Sequence, residues 1–142
     1  MRYVCDAPGA RTWFRIETEE EACQESALMR HSMAQRFHLE MDKARQSFRP
    51  VSAVFIEGEI GLKAHLLREM PLFLTLRDAE GAPLATAMLP QAACPSSVRP
   101  IILGKGNIDP YMSYAAAIFA LGKHLGRTLD RARCYPYPPG RH

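Results

Sequence analysis

Four polar side chains near the start of the chain recur at a spacing that places them on one side of a helix. His31, Gln35, His38 and Asp42 stand at i, i+4, i+7 and i+11. His31 and His38 are two turns apart, about 10 Å along the axis, so one helix cannot bring both to one metal ion. His38 and Asp42 can meet, and a carboxylate beside an imidazole suits a metal site or a general base. The alternative interpretation is an ordinary solvated polar face.

Another group of candidates involves a long connector. Residues 90–109 contain three prolines and two glycines, and connectors of this length often carry function. Our second hypothesis is therefore a small enzyme or ligand-binding protein, with a pocket formed by this connector, His65, His38 and Asp42. No nucleophile, nucleotide-loop or metal-ligand motif links these residues. The catalytic residues thus stay unknown, and we expect no metal and no cofactor.

The densest basic cluster lies towards the C-terminus. It contains Lys123, Arg127, Arg131 and Arg133, and the first three share a helical face. Residues 1–122 hold 13 Lys and Arg against 14 Asp and Glu, a net −1, whereas 123–142 hold 5 against 1, a net +4. These four side chains are candidates for binding an anion or a nucleic acid. Positive charge near a helix C-terminus is also favourable in itself.

The element expected to carry the histidine row is one long amphipathic helix. Residues 18–48 contain no Gly or Pro, and Thr18 followed by Glu21 is a capping-box signature. An apolar stripe follows the helical period and supplies the candidates for a dimer interface, Met29, Met33, Phe37 and Met41. At about 1.5 Å per residue the helix would be roughly 45 Å long, which exceeds a compact domain of this size. We therefore expect a dimer contact or a break near its end.

Strand signals surround this helix. Two hairpins are predicted, the first around Pro8-Gly9 and the second around the turn at 78–83. A central strand is predicted from β-branched content, and a short strand from the end of the connector. Residues 62–69 fit either a short helix or a strand, and we favour a strand or irregular structure. The predicted strands span 3–6, 12–16, 51–56, 72–77, 84–89 and 98–103.

Asp109 and Pro110 predict the start of a second helix, because Asp is a good N-cap and Pro suits the first helical position. Residues 111 to about 127 are apolar nearly all round, so we expect this C-terminal helix to be buried. Together the elements predict a single α+β domain over 1–134. Its antiparallel sheet has about four to six strands, and the long helix and the buried helix cover one face. Residues 135–142 form a proline-rich tail.

Composition narrows the classes of function. A chain of 142 residues can bury one core without disulfides or zinc. Its four cysteines form no Cys-x-x-Cys pair and no secretory signal is evident, so we expect reduced thiols in the cytoplasm. The longest purely apolar run, 115–121, is far shorter than the roughly 20 residues that span a membrane. We expect no membrane partner.

Three hypotheses follow. The first is a small cytoplasmic binding or scaffolding domain that forms a homodimer through the long helix or a sheet edge. The second is the enzyme or ligand-binding protein with the pocket described above. The third is an accessory nucleic-acid binder that uses the C-terminal arginines, and it ranks last because a nucleic-acid footprint normally has a larger basic excess and a recognisable module.

Overall fold

Within the residues that the structure describes, a five-stranded antiparallel sheet lies between two layers of helix. The computed structural model describes residues 1–49, 55–91, 99–131 and 134. The elements are β1 (Arg2–Ala7), β2 (Arg11–Arg15), α1 (Glu19–Met29), α2 (Met33–Ser47), α3 (Phe55–Glu69), β3 (Leu72–Arg77), β4 (Pro83–Leu89), β5 (Ile101–Gly104), a 3-10 turn (Lys105–Asn107) and α4 (Tyr111–Leu125). The strands pair in sequence order, and each neighbouring pair is antiparallel. The predicted α+β class and strand number are confirmed.

Both predicted hairpins are present. β1 and β2 are joined by a turn in which Gly9 has a φ of +82°, a conformation that glycine adopts without steric cost. β3 and β4 are joined by a turn in which the Asp78 carboxylate accepts hydrogen bonds from the backbone N–H groups of Glu80 (3.0 Å) and Ala82 (2.9 Å). A fifth strand, β5, overlaps the strand predicted at 98–103. The turn chemistry was therefore readable from the sequence.

The region before β3 differs from its prediction. Of the strand predicted at 51–56, residues 51–54 lie outside the described residues, and the last two begin α3. The preference for strand or irregular structure at 62–69 is wrong, because the whole segment is helical. Helical spacing brings His65, Leu66 and Met70 inward, and Leu66 and Met70 join the core beneath α2. The local sequence fits both a helix and a strand here, and packing against α2 selects the helix.

The sheet is buried on both faces, so our expectation of helices on one face only is wrong. One face packs against α4 through Trp13, Leu74, Leu76, Ala85, Ala87, Leu89 and Ile102. The other face packs against α1 and α2 through Phe73 and Met88. The runs 73–76 and 85–89 are buried at every position. Such continuous burial is typical of strands covered on both sides, whereas a strand covered on one side alternates.

The C-terminal helix is buried on one face only. Ala117, Ile118 and Leu121 enter the core, while Met112 and Phe119 are 87% and 74% exposed. The indole N–H of Trp13 donates a hydrogen bond of 2.9 Å to the carbonyl of Ala117 and ties α4 to the centre of the sheet. The prediction that this helix is buried is thus confirmed for its inner side and wrong for its outer side.

The long helix predicted over 18–48 is two helices. The capping box of Thr18 and Glu21 is present as predicted. α1 ends at Met29, and Arg30 adopts the left-handed conformation (φ 56°, ψ 52°) before α2 begins at Met33. The break lets the apolar faces of both helices pack on the same side of the sheet. One straight helix would extend beyond the edge of the sheet. The residues that hold the break are described below.

Two glycine substitutions are expected to have opposite effects on stability. A methyl group at Gly122 would lie 2.7 Å from the carbonyl oxygen of Arg127, so Gly122→Ala should lower the free energy of unfolding by about 1–3 kcal/mol. A methyl group at Gly61, inside α3, makes only an ordinary contact with Phe48 at 3.5 Å. Gly61→Ala should raise stability by about 0.5–1 kcal/mol through helix propensity. Urea unfolding of both variants tests this, and equal effects would contradict the packing described for α4.

Candidate functional site

The first candidate region is centred on a carboxylate without solvent contact. Glu25 of α1 is 0% exposed and faces the sheet. Its Oε1 accepts a hydrogen bond of 2.6 Å from the guanidinium of Arg77 on β3, and its Oε2 accepts one of 2.5 Å from the hydroxyl of Thr86 on β4. Arg77 also donates to Thr75 and to the carbonyl of Gly81, both at 3.1 Å. The buried charge is thus paired and hydrogen-bonded, as a buried ion pair requires.

His31 extends this network. Its Nε2 lies 2.8 Å from the hydroxyl oxygen of Thr86. Because the single proton of that hydroxyl goes to Glu25, His31 must donate from Nε2. The backbone N–H of Met33 points at Nδ1, so Nδ1 is an acceptor and carries no proton. Nδ1 then accepts from the hydroxyl of Ser26 (3.2 Å) and from the backbone N–H of Met33 (3.3 Å). The hydrogen bonds therefore assign a neutral imidazole with one defined tautomer.

The same network caps α2. Ser32 occupies the N-cap position but makes no side-chain capping bond. Instead, the hydroxyl of Ser26 accepts from the N–H of Ala34 at 2.8 Å, and Nδ1 of His31 accepts from the N–H of Met33. Two orphan donors of a helix start are thereby satisfied from outside the helix. This is the physical reason that the predicted helix breaks at 30–32.

Burial lowers the pKa of His31, and the nearby Glu25 carboxylate offsets part of that shift. The neutral form fits the tautomer described above, because a second ring proton would face the N–H of Met33. Both ring nitrogens are committed to hydrogen bonds within the protein. The arrangement therefore suits holding a turn more than abstracting a proton from a substrate.

The row predicted from His31, Gln35, His38 and Asp42 is divided by the break. His31 faces the sheet, whereas His38 and Asp42 meet on the exposed side of α2, with Nε2 and Oδ2 3.3 Å apart. Nδ1 of His38 also contacts Glu19 of α1 at 3.0 Å. The hydrogen bond to Glu19 and then the charge of Asp42 raise the pKa of His38. These three residues form a polar cluster between the two helices, which contains ion pairs when His38 is protonated.

His65 lies apart from that cluster, in the contact between α3 and α2. It is buried, and its Nε2 donates to the carbonyl of Ala44 (2.8 Å) and contacts the Ser47 hydroxyl (2.9 Å). Arg68 contacts its Nδ1 at 3.4 Å. Both ring nitrogens thus have partners within these helices. Of the connector proposed to complete this pocket, residues 92–98 lie outside the described residues.

The four dimer-interface candidates, Met29, Met33, Phe37 and Met41, belong to the core of their own chain. Phe37 packs edge-on against Phe73 with ring centroids 4.9 Å apart. In this conformation the stripe is covered by the sheet and is not available to a second chain.

The second candidate region is a groove along the outer side of α4. It has a volume of about 730 Å³ and is partly open to solvent. The segment after α4 folds back to form one wall, since the N–H of Arg127 donates to the carbonyl of Gly122 (2.8 Å) and the Tyr111 hydroxyl donates to the carbonyl of Leu129 (2.7 Å). The lining residues are Tyr111, Ala115, Ile118, Phe119, Gly122, Lys123, Arg127, Thr128, Leu129, Asp130 and Arg131.

Three of the four predicted anion candidates, Lys123, Arg127 and Arg131, therefore line one groove. Arg131 donates a hydrogen bond of 2.7 Å to the carboxylate of Asp109. Arg133 lies outside the described residues. Sequence reasoning found the charges but missed the apolar floor, because the fold-back of residues 127–131 is a long-range feature. The sequence signal for it was the apolar residues around most of the helix, because one packed side cannot bury all of them.

Over the described part of the chain, no three His, Cys, Asp or Glu side chains are grouped so that they could hold a metal ion. None of its helices is both long enough and apolar enough to cross a membrane. Comparison with known proteins finds no matching family model, no matching curated protein and no matching solved structure. The proposals below therefore rest on the geometry of the two regions.

Removing the cation of the buried pair should be strongly destabilising. Arg77→Ala leaves the Glu25 carboxylate buried without its charge partner, so we expect a loss of about 3–5 kcal/mol in the free energy of unfolding. Arg2→Ala is the matched control, because Arg2 pairs with Glu17 at the surface and such pairs contribute less than about 1 kcal/mol. Urea unfolding measures both losses of stability. Equal losses in the two variants would show that the buried Glu25 carboxylate does not need Arg77 as its charge partner.

Acid should weaken the fold through His31. The unfolded chain binds a proton at His31 near the ordinary pKa of about 6.5, whereas the folded chain keeps this ring neutral to lower pH. The contribution of neutral His31 to the free energy of unfolding is complete above the ordinary pKa. It is lost as the pH falls through the lowered pKa of folded His31. His31→Gln should therefore reduce the fall in stability between neutral and mildly acidic pH.

His38→Gln provides the opposite control. Because the pKa of folded His38 is raised, this residue adds stability below its ordinary pKa, and that contribution disappears as the pH rises through the raised pKa. His38→Gln should therefore make the free energy of unfolding fall more steeply as the pH is lowered. Unfolding curves at several pH values measure both slopes, and an unchanged slope in His31→Gln would contradict a neutral, buried imidazole.

Proposed function

We propose that this protein is a ligand-binding domain whose site is the α4 groove, and that its ligand is an amphipathic anion. Such a ligand has an apolar chain or ring system and a single carboxylate or phosphate group. The observation that carries the proposal is a groove of about 730 Å³ whose floor is apolar and whose rim is basic. It develops our first hypothesis, a binding domain, by naming a surface and a ligand class.

The floor of the groove is evidence that the ligand has an apolar part. Ile118 and Leu129 are buried beneath it, Ala115 leaves space along the helix, and Phe119 is exposed at its side. Small-molecule sites have volumes of roughly 300–1,000 Å³, with mainly apolar walls and few polar groups. The size and lining of this groove match that description.

The rim of the groove is evidence that the ligand has an anionic group. Within the described residues, Lys123 and Arg127 have no carboxylate partner among the ion pairs of the protein. Asp109 holds the Arg131 guanidinium at 2.7 Å, and Asp130 also lines the groove. The basic excess of the rim is therefore one charge, and its cations outside the pair with Asp109 are Lys123 and Arg127. A ligand carboxylate or phosphate would form charge-assisted hydrogen bonds with them.

The apolar floor favours this ligand class over nucleic acid. Nucleic-acid affinity comes mainly from many phosphate contacts along a basic surface, whereas this rim has three cations accompanied by two carboxylates, above an apolar cleft. The proposal retains the cytoplasmic location expected from the cysteines. It does not require a dimer, because one chain supplies every lining residue.

Alkyl carboxylates and alkyl phosphates of increasing chain length are the probes. We expect binding, measured by calorimetry and by thermal stabilisation, to strengthen with chain length until the groove is filled. Alkyl alcohols of equal length should bind at least about tenfold more weakly. Lys123→Glu combined with Arg127→Glu should remove the preference for the anion while leaving the fold intact.

The apolar contacts have their own matched pair of variants. Ala115→Trp places an indole in the groove and should abolish binding. Ala116→Trp makes the same change at the next exposed position of α4, outside the lining, and should leave binding unchanged. Equal binding of alcohols and carboxylates, or equal effects of the two tryptophan variants, would refute the proposed site.

A further inference from the structure

The α4 groove extends from the first turn of its helix to the last. Its lining includes Tyr111 at the start of α4, Phe119 in the middle and Lys123 near the end. Twelve positions separate Tyr111 from Lys123, which is a rise of about 18 Å along the helix. The two ends of a chain lying in this groove would therefore have different surroundings.

The end of the groove beside the last turn of α4 is positively charged. Lys123 and Arg127 line it. The N–H of Arg127 donates to the carbonyl of Gly122 at 2.8 Å, which holds residue 127 against that turn. This basic end therefore carries two cations, and it fits the anionic group of the ligand.

The opposite end of the groove, beside the first turn of α4, contains an ion pair. Arg131 lines the groove, and its guanidinium donates a hydrogen bond of 2.7 Å to Oδ2 of Asp109. Oδ1 of Asp109 accepts from the backbone N–H of Tyr111 at 2.9 Å. Both oxygens of this carboxylate are thus engaged, and the positive charge of Arg131 is balanced.

Asp130 lies at the same end. It lines the groove, and the carbonyl of the preceding residue, Leu129, accepts a hydrogen bond of 2.7 Å from the Tyr111 hydroxyl. Burial raises the pKa of the Cys134 thiol, a hydrogen bond with Tyr111 lowers it, and the charge of Asp130 raises it further. Tyr111 and Asp130 are therefore both neighbours of this thiol. Among the described residues, this acidic end has one cation and two carboxylates, a net charge of −1.

We propose that the ligand of the α4 groove is dipolar: an apolar chain with a carboxylate or phosphate at one end and an ammonium group at the other. This inference rests on the proposed function, and it adds the direction of the ligand and the chemistry of its second end. The anionic group lies at the basic end, beside Lys123 and Arg127. The ammonium group lies at the acidic end, where the Asp130 carboxylate accepts its N–H donors.

The pairing of Arg131 disfavours a second anionic group at the acidic end. A second carboxylate can bind this guanidinium only by displacing Asp109, which also accepts from the N–H of Tyr111. It would also be repelled by the negative charge of Asp130. An uncharged methyl end avoids this repulsion but gains nothing from the acidic end. Affinity should therefore fall in the order ammonium, methyl, carboxylate.

The length of the probe provides an internal control. An extended chain advances about 1.2 Å per bond, so a probe of about 12 carbons spans roughly 14 Å. With the reach of the Lys123 side chain, such a probe meets both ends of the groove. A probe of about six carbons spans only about 7 Å. It meets one end at a time, so the charge at its second end cannot be recognised by the acidic end while its carboxylate is at the basic end.

Calorimetry at neutral pH tests the inference with an alkyl carboxylate, an ω-amino carboxylate and an α,ω-dicarboxylate, each of about 12 carbons. The ω-amino carboxylate should bind at least about tenfold more tightly than the dicarboxylate. The alkyl carboxylate should lie between them. Probes of about six carbons should lose this order.

Three variants assign the preference to the acidic end. Asp130→Asn removes one negative charge there and should abolish the preference for the ω-amino carboxylate over the dicarboxylate. Adding Asp109→Asn keeps an amide oxygen for the N–H of Tyr111 but removes the negative charge beside Arg131, so the double variant should prefer the dicarboxylate. Asp42→Asn is the matched control, because it makes the same change on α2 at the other face of the sheet. It should keep the wild-type order.

Any of three results would overturn the dipolar ligand. The first is equal binding of the ω-amino carboxylate and the dicarboxylate by the wild-type protein. The second is an ω-amino carboxylate that binds no more tightly than the alkyl carboxylate. The third is the same order of probes in the wild type and in Asp130→Asn.

The alkyl carboxylate separates this inference from the proposed function. If it binds in the groove and the other two probes do not differ, the groove remains the ligand site and only the dipolar ligand is wrong. If none of the three long probes binds, the proposed function itself is wrong.

Discussion

The buried carboxylate of Glu25 is the constraint on which much of this structure depends. A charge between α1 and the sheet must be paired and fully hydrogen-bonded, or the fold becomes unstable. Arg77 and Thr86 meet that requirement from two neighbouring strands, so the position of α1 on the sheet is defined. Because the Thr86 proton is used by Glu25, the tautomer of His31 is defined as well. The start of α2 follows from that tautomer.

The two faces of the sheet are held in different ways. The α1 and α2 face combines an apolar stripe with a buried polar network, whose charged and polar groups must keep their partners. The α4 face is almost entirely apolar, and Trp13 ties the helix to the sheet through one hydrogen bond. The buried polar network thus lies on one side of the molecule. The groove proposed to bind a ligand lies on the other, where α4 keeps an uncovered apolar side.

Local chemistry predicted a good part of the fold. The hairpins, the capping box at Thr18 and the helix after Asp109 and Pro110 depend on residues a few positions apart, and all are present. The contact between His38 and Asp42 is equally local. The predictions that were wrong concern the helix break, the helical state of 62–69, the second covered face of the sheet and the outer side of α4. Each depends on which element packs against which.

The sequence by itself determined the α+β class, the turn positions, the capping box at Thr18 and the segregation of charge, because these depend on neighbours along the chain. Only the tertiary structure decided that α1 and α2 are separate helices and that the basic side chains surround an apolar groove. The physical reason is the distance along the chain between partners. Thr86 lies 55 residues from His31 and 61 from Glu25, so the hydrogen bonds that bend the helix exist only after the sheet has formed.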